Sequence, residues 1–400
     1  MKKTIIALSF FFSIQSRASC PEPLKSGFDA YQCIFEQSPG MQALRFREDE
    51  VKALSAKAKQ IPNPELDAGL EFTGEKKLEV SLLQPFEIGG KRGSRVERAQ
   101  AEASFLSAKD LETRIEASNA ALESLIRLRQ LKAEADLVKD SLSILDRVNR
   151  KLKSRPALSP EQKTTLRLFS TFEKTLLFRK LNIEKDVQKT NAFIEGAIGR
   201  PITKNDHLDV AAFKKWPSLD LATASTQTTA LRTSMAELEL AKSEMKLAQS
   251  ESWPDFRVGP SFERQPDESE ASWGIKVGVT IPLWNINGAG KDLAKARMNS
   301  AQAMHESTKR QQMSQINSLQ KQYEDLIKIL REMEPVTELT RSVKDSERLF
   351  DRSLISPASL IEMYRSTFEL IEEIHRNEIQ AMLMWSTAEN LKGSFPKELP

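Results

Sequence analysis

Two stretches of the chain alternate apolar with polar residues and then change to a helical period. In the first, Leu, Val and Leu alternate with Glu and Ser over 78–82, which is the period of a half-buried strand. Pro85 ends the alternation, and Gly89 with Gly90 permits a sharp turn. No Gly or Pro occurs over 94–153. The pattern therefore predicts a strand that leads into a helix of about sixty residues, roughly 90 Å long.

The second stretch repeats the first, half a chain later. Apolar residues alternate with polar or small ones over 273–281, Pro282 ends the run, and another long helical pattern follows. Pro85 and Pro282 lie 197 positions apart, and so do Pro160 and Pro357. This common separation indicates an internal duplication of about half the chain.

The predicted fold is mainly α with a small β part, built from a duplicated unit of helix, hairpin, long helix and helix. We expect the first repeat over 20–217 and the second over 218–400. The predicted elements are helix 38–60, hairpin 65–88, long helix 93–153 and helix 161–197, followed by helix 221–252, hairpin 255–284, long helix 291–354 and helix 358–391. Pro335 lies inside the second long helix and is expected to kink or interrupt it.

The predicted strands have the length of tilted transmembrane strands, about nine to eleven residues. Each has one apolar face, and the predicted lipid-facing residues are Leu66, Leu70, Phe72, Val80, Leu82, Phe256, Val258, Phe262, Ile275, Val277 and Val279. Four strands cannot close a barrel around such a face, so the membrane interpretation requires neighbouring chains. The alternative is a pair of soluble hairpins, each packed on a small core.

The N-terminus has the pattern of a secretory signal over 1–19. Lys2 and Lys3 precede an apolar run of about ten residues, too short to span a bilayer as a helix, and cleavage after Ala18 fits the small residues there. Export to an oxidising compartment would allow Cys20 and Cys33 to pair. The alternative is lipid modification of Cys20, which would leave Cys33 free.

Charge and candidate chemistry exclude several functions. The 59 basic and 56 acidic residues give a net charge of +3, which is no footprint for nucleic acid. His207, His305 and His375 have no spaced Cys or His partner, so no metal site is predicted. Asn285 and Asp292 stand where a phosphate-binding loop needs Gly and Ser or Thr. We predict no cofactor and no enzymatic activity.

Several short segments together resemble a known family. They are NPEL at 63–66, QPFEIGGKR at 84–92, WPDF at 253–256 and IPLWN at 281–285. In order and spacing, in both halves, they resemble the TolC-like outer-membrane efflux proteins, most closely the cation-efflux, CzcC-like branch. The resemblance covers nearly all of the chain after the signal.

This resemblance implies a homotrimer in the outer membrane of a Gram-negative bacterium. Each chain would give four strands to a shared twelve-stranded barrel in the lipid, and the helices would form a periplasmic α-helical tunnel. The duct would be passive. Small molecules, with metal cations favoured, would come from an inner-membrane pump, expected to be of the RND type, through a periplasmic adaptor protein.

The resemblance also assigns roles to the helical turns at the tunnel end. The residues expected to contact the adaptor are Arg155, Ala157, Leu158 and Ser159 in the first turn, and Leu354, Ile355 and Ser356 in the second. Many relatives have Gly where this chain has Ser353. Glu362 best matches an acidic residue that narrows the closed end, where three carboxylates would attract cations.

Two other functions stay open from the sequence. A soluble periplasmic coiled-coil adaptor also has a signal and a helical hairpin. An outer-membrane duct for protein or peptide secretion would share the same architecture. The two lipid-length hairpins and a duplication that spans the chain favour a duct over an adaptor.

Overall fold

The computed structural model describes residues 20–71, 77–154, 157–210, 216–219, 228–264 and 271–391. The predicted signal over 1–19 lies outside these ranges. The helices are α1 (Gly27–Gln37), α2 (Pro39–Lys59), α3 (Lys91–Lys153), α4 (Pro160–Ile198), α5 (Thr229–Ser250), α6 (Gly288–Glu332), α7 (Val336–Asp351) and α8 (Pro357–Leu391). The strands are β1 (Glu65–Glu71), β2 (Lys77–Glu87), β3 (Asp255–Arg264) and β4 (Ser272–Val279).

The strands form one antiparallel sheet in the order β1-β2-β3-β4. Leu66 faces Leu82 across β1 and β2, Val80 faces Phe262 across β2 and β3, and Val258 faces Val277 across β3 and β4. The two hairpins therefore join along β2 and β3, while β1 and β4 lie at opposite edges.

The end of the second hairpin differs from the prediction over 255–284. In the structure β4 ends at Val279, because the register has brought it to the beginning of β3. Thr280 still donates a backbone hydrogen bond to Asp255, at 3.2 Å. Asp255 is the first residue of β3 and follows Pro254, so nothing in β3 remains to pair with 281–284.

The second long helix, predicted over 291–354, is two helices in the structure. α6 ends at Glu332, and α7 begins at Val336 with Pro335 as its N-cap residue. A proline lacks the N–H that would continue the ladder, and its ring clashes with the preceding turn. The first long helix has no internal proline, and α3 runs unbroken over 63 residues.

The helices pack around α3, and their apolar residues form two cores along it. The first core joins α1, α3, α4, α6 and α8, and includes Tyr31, Leu122, Ile126, Ile194, Tyr323 and Met382. The second core lies nearer the helical turns and joins α3, α4, α7 and α8, through Leu145, Phe169, Val343, Tyr364 and Phe368. No helix within the described ranges is both long and apolar enough to cross a membrane.

Candidate functional site

One face of the sheet is apolar on all four strands apart from Gln84 of β2 and Arg264 of β3, and we call it the apolar face. The register aligns on it Leu66, Ala68 and Leu70 of β1, Leu78, Val80, Leu82 and Phe86 of β2, Phe256, Val258, Pro260 and Phe262 of β3, and Trp273, Ile275, Val277 and Val279 of β4. Leu66, Leu70, Ile275 and Val277 are 62% to 79% exposed. Predicted lipid-facing residues thus share one uncovered surface, except Phe72, which lies outside the described residues.

The opposite face of the sheet is charged, and ion pairs there join neighbouring strands or strands on either side of a third. Lys276 of β4 lies 3.0 Å from Glu79 of β2. Lys77 lies 2.8 Å from Glu263, and Arg257 lies 3.0 Å from Glu65. We call this surface the charged face. The sheet therefore has one apolar and one charged face.

Both edges of the sheet are open in the single chain. β1 pairs only with β2 and β4 only with β3, so the outer backbone groups of each have no strand partner among the described residues. In a bilayer each unsatisfied backbone group would cost several kcal/mol. A sheet with this apolar face can therefore enter lipid only if other strands close both edges.

In both helical turns, a serine followed by a proline starts the next helix. In the first turn, the Ser159 hydroxyl accepts a hydrogen bond from the Gln162 N–H at 3.2 Å, and Pro160 is the first helical residue. In the second turn, the Ser356 hydroxyl accepts one from the Ser359 N–H at 3.1 Å, before Pro357. A serine cap followed by proline fixes both chain reversals.

The residues predicted at the turns are mostly on the surface. Ala157, Ser159, Leu354 and Ser356 are exposed, while Leu158 is half-buried. Ile355 is also half-buried and packs on the second core. Arg155 lies outside the described residues.

Ser353 adopts a left-handed conformation at the end of α7, with φ of 61°. Its N–H donates to the Phe350 carbonyl at 2.8 Å, and the Leu354 N–H donates to the Leu349 carbonyl at 2.9 Å. This is the Schellman arrangement, which usually has glycine at the left-handed position. Ser353 therefore holds a conformation that a side chain disfavours.

Glu362 lies on α8, less than two turns beyond Pro357. Its side chain is 65% exposed and pairs with Arg365 at 3.5 Å. Within one chain it is a solvated helical carboxylate. Its predicted role at a constriction depends on neighbouring copies.

A buried ionic network between α3 and α8 was missed by the sequence analysis. One Glu134 oxygen accepts hydrogen bonds from Arg127 at 2.8 Å and from His375 Nδ1 at 2.7 Å. Gln130 donates to Glu378 at 2.8 Å. Burial raises the pKa of Glu134, but the His375 hydrogen bond and the Arg127 charge outweigh it and hold that pKa below its usual value. The available signal was a pair of polar residues four positions apart, Gln130 and Glu134, among the apolar residues of α3.

A half-buried carboxyl, that of Glu347, lies near the second turn. The Tyr364 hydroxyl, inside the second core, donates to Glu347 of α7 at 2.5 Å. Burial raises the pKa of Glu347 above its usual value. The hydrogen bond from Tyr364 acts to lower that pKa, but it is the weaker of the two effects. The contact joins α7 to α8. In the described part of the chain, no group of three or more His, Cys, Asp or Glu side chains is arranged to hold a metal ion.

The segment that begins at Cys20 is fixed to the helical part. Cys20 and Cys33 form a disulfide in the structure. The Leu24 N–H donates to Asp206 at 2.9 Å, and Arg200 pairs with the same carboxylate at 2.7 Å. The Arg200 hydrogen bond holds the pKa of Asp206 well below its usual range. The structure thus bonds the two predicted cysteines to each other.

Comparison with known proteins gives one curated relative and several structural ones. No protein-family model matches the chain. Over 300 residues, or 68% of its length, the chain is 23% identical to the nickel-cobalt-cadmium resistance protein NccC of Alcaligenes xylosoxydans xylosoxydans. The match spans 65% of that relative, which is less than two thirds of its length.

The structural likeness extends over nearly the whole chain. The outer membrane protein VceC from Vibrio cholerae superposes with a TM-score of 0.71 at 14% identity, covering 92% of this chain and 96% of that one. The MtrE outer membrane channel of Neisseria gonorrhoeae, in its open state, gives a TM-score of 0.70 at 12% identity, covering 92% and 89%. The fold class and the family resemblance predicted from the sequence are confirmed.

Proposed function

We propose that this chain, which has the fold of the TolC-like outer-membrane efflux channels, is one subunit of a passive export duct in the outer membrane of a Gram-negative bacterium. The observation that carries the proposal is the sheet, with its apolar face exposed, its charges on the other face and both edges open. An apolar face of this kind is stable in lipid and costly in water.

The duct is proposed to be a homotrimer. Each copy contributes four strands, so that three copies close a twelve-stranded barrel and leave no edge in the lipid. The charged face then lines the lumen. The helices continue the lumen into the periplasm as a tunnel.

Transport through the duct needs no chemistry in this chain. An inner-membrane pump, of RND type in this proposal, supplies the energy, and a periplasmic adaptor docks on the helical turns. The proposed adaptor contacts are Arg155, Ala157, Leu158, Ser159, Leu354, Ile355 and Ser356. The identical Ser-Pro caps of the two turns support them as one repeated docking feature, because both turns then present the same backbone geometry.

The proposed substrates are metal cations. The relative NccC is described as a nickel-cobalt-cadmium resistance protein, and the likeness to it supports this class. In a trimer, three copies of Glu362 around the narrow end would attract cations. Among the described residues, Arg365 alone forms an ion pair with this exposed carboxylate, at 3.5 Å.

The test is a deletion strain, challenged with divalent metals, copper, dyes and detergents, together with fractionation of the membranes. We expect sensitivity to one or two metals, restored by the intact gene, and a heat-resistant oligomer in the outer-membrane fraction. Sensitivity to dyes and detergents would change the substrate class and keep the duct. A monomer found only in the soluble periplasmic fraction would overturn the duct and favour the adaptor.

A further inference from the structure

The two places where a strand leads into a long helix are not alike. β2 continues to Glu87, and its last apolar residue, Phe86, lies opposite Phe256 of the neighbouring strand. β4 stops at Val279, and residues 280–287 reach α6 without strand pairing. We call 280–287 the junction segment.

The junction segment exposes four apolar side chains. Ile281 is 66% exposed, Leu283 68%, Trp284 95% and Ile286 54%. Single exposed apolar residues are ordinary on protein surfaces, but four within six positions form a patch that usually has a partner. Trp284 is the most exposed large hydrophobic side chain in the described part of the chain.

The position of the patch indicates what covers it. The segment directly continues β4, whose apolar face carries Ile275 and Val277. The eight residues of β4, tilted by about 40°, rise only about 20 Å, whereas the apolar band of a membrane barrel is about 25 Å tall. Residues up to Leu283 would supply the missing height.

Charge and aromatic character favour a lipid boundary over another protein surface. Tryptophan prefers the boundary between headgroups and acyl chains, where its ring is buried and its N–H meets water. Lys291 and Lys295 follow at the start of α6, and neither forms an ion pair with a described residue. Their amines suit the phosphates of lipid headgroups.

We infer that the junction segment anchors the chain in the periplasmic leaflet, with Ile281, Leu283 and Trp284 at the boundary between phospholipid headgroups and acyl chains. The inference rests on the proposed function, since it requires the sheet to be in the bilayer. It adds a contact that the strands themselves do not make. One hairpin leads into its long helix from a paired strand, and the other does so through a lipid-binding segment.

The test is spin labelling of the full chain in vesicles of phosphatidylethanolamine and phosphatidylglycerol. The protein has two cysteines, both in the disulfide, so an introduced cysteine is the only free thiol. Three variants carry the label: Trp284→Cys in the junction segment, Val277→Cys on the apolar face, and Ala157→Cys at the first helical turn. Power saturation compares collisions with oxygen, which enriches in lipid, and with a water-soluble nickel chelate.

We expect the label at 284 to favour oxygen, at a shallower depth than the label at 277, while the label at 157 favours nickel. A label at 284 that favours nickel, or one that neither reagent reaches, would overturn the anchor. The second result would assign the segment to a contact with a neighbouring copy. If the label at 277 also favours nickel, the proposed function itself fails, so the two failures are distinguishable.

Discussion

In the sheet large apolar side chains are exposed together on one face, whereas in the helical part many apolar side chains are buried in two cores. Ile275 is 79% exposed on the apolar face. Leu122 and Tyr364, in the two helical cores, are fully buried. The same chain thus buries apolar side chains in cores in one region and presents them on an open face in the other.

Under the proposed function, this difference means that each region is adapted to its own solvent, lipid for the sheet and water for the helices. Hydrophobic residues make up 40% of the chain, an ordinary share that says nothing of a membrane. What indicates a membrane is the position of a small number of these hydrophobic residues, on one face of the sheet. If this interpretation holds, a substitution in the sheet should affect membrane assembly, and one in the helices should affect folding stability.

The largest effect is expected from a charge on the apolar face. Val277→Arg should abolish the heat-resistant oligomer, because a cation near the middle of the bilayer costs about 2–4 kcal/mol in every copy. The measurement is gel mobility of the outer-membrane fraction with and without heating. Lys276→Gln, one position away on the charged face, is the matched control and should keep the oligomer. Normal oligomer levels in Val277→Arg would contradict the assignment of the lipid face.

Loss of the disulfide is expected to weaken the helical part and leave membrane assembly intact. Cys33→Ser should lower the free energy of unfolding by about 3 kcal/mol, since the bond closes a short loop with a sequence separation of 13. Denaturant unfolding of the purified protein measures this. Cys20→Ser should have the same effect, because both substitutions break one bond. A phenotype of Cys20→Ser alone would indicate lipid modification instead.

A charge removed from the ionic network should also act on stability alone. Glu134→Gln leaves Arg127 and His375 without their shared carboxylate. This should lower the free energy of unfolding by about 2 kcal/mol. Glu362→Gln makes the same chemical change on an exposed side chain. It should change the free energy of unfolding by no more than about 0.5 kcal/mol. Equal effects of the two substitutions would show that the network is not buried in the assembled protein.

The network also predicts a response to acid. The folded-state pKa of Glu134 is below its unfolded value, so its stabilisation is fully present above about pH 4.5 and is lost as pH falls through the folded pKa. Wild-type stability should therefore decline in acid more steeply than that of Glu134→Gln. Unfolding midpoints recorded from neutral pH down to about pH 3 check this. Parallel curves would contradict it.

The smallest effect is expected at the second helical turn. Ser353→Gly should raise stability by about 1 kcal/mol, because glycine adopts a positive φ without steric cost. Ser353→Ala keeps the Cβ and should bring little change. The comparison is made by thermal unfolding. No gain in the glycine variant would mean that the turn is relaxed by contacts in the assembly.

The sequence predicted the features that depend on local pattern. The alternation around Val80 and Val277 predicted strands whose apolar residues share one face, because a strand has a strict period of two. Pro160 and Pro357 predicted the chain reversals, because proline starts a helix more readily than it continues one. By the same reasoning, Pro335 predicted the interruption between α6 and α7.

The sequence could not predict features that depend on distant partners. Glu134 and His375 are 241 positions apart, so their contact exists only once α3 and α8 pack together. The end of β4 depends on where β3 begins, and not on its own residues, since the alternation continues past Val279. Helix α1 was missed as well. It is held in place by the first core and by the disulfide, so it too depends on residues distant in the sequence.

The open edges of the sheet have a genetic consequence. β1 and β4 run in opposite directions, so in a ring each copy joins its β4 to the β1 of the next, and every copy uses both edges. One copy whose edge strand cannot pair therefore leaves the whole ring unclosed, even when the other copies are intact. In a cell that carries both a wild-type and an edge-defective gene, most rings would contain a defective copy. Alleles that damage β1 or β4 should consequently be dominant, while alleles that merely destabilise the helices should be recessive.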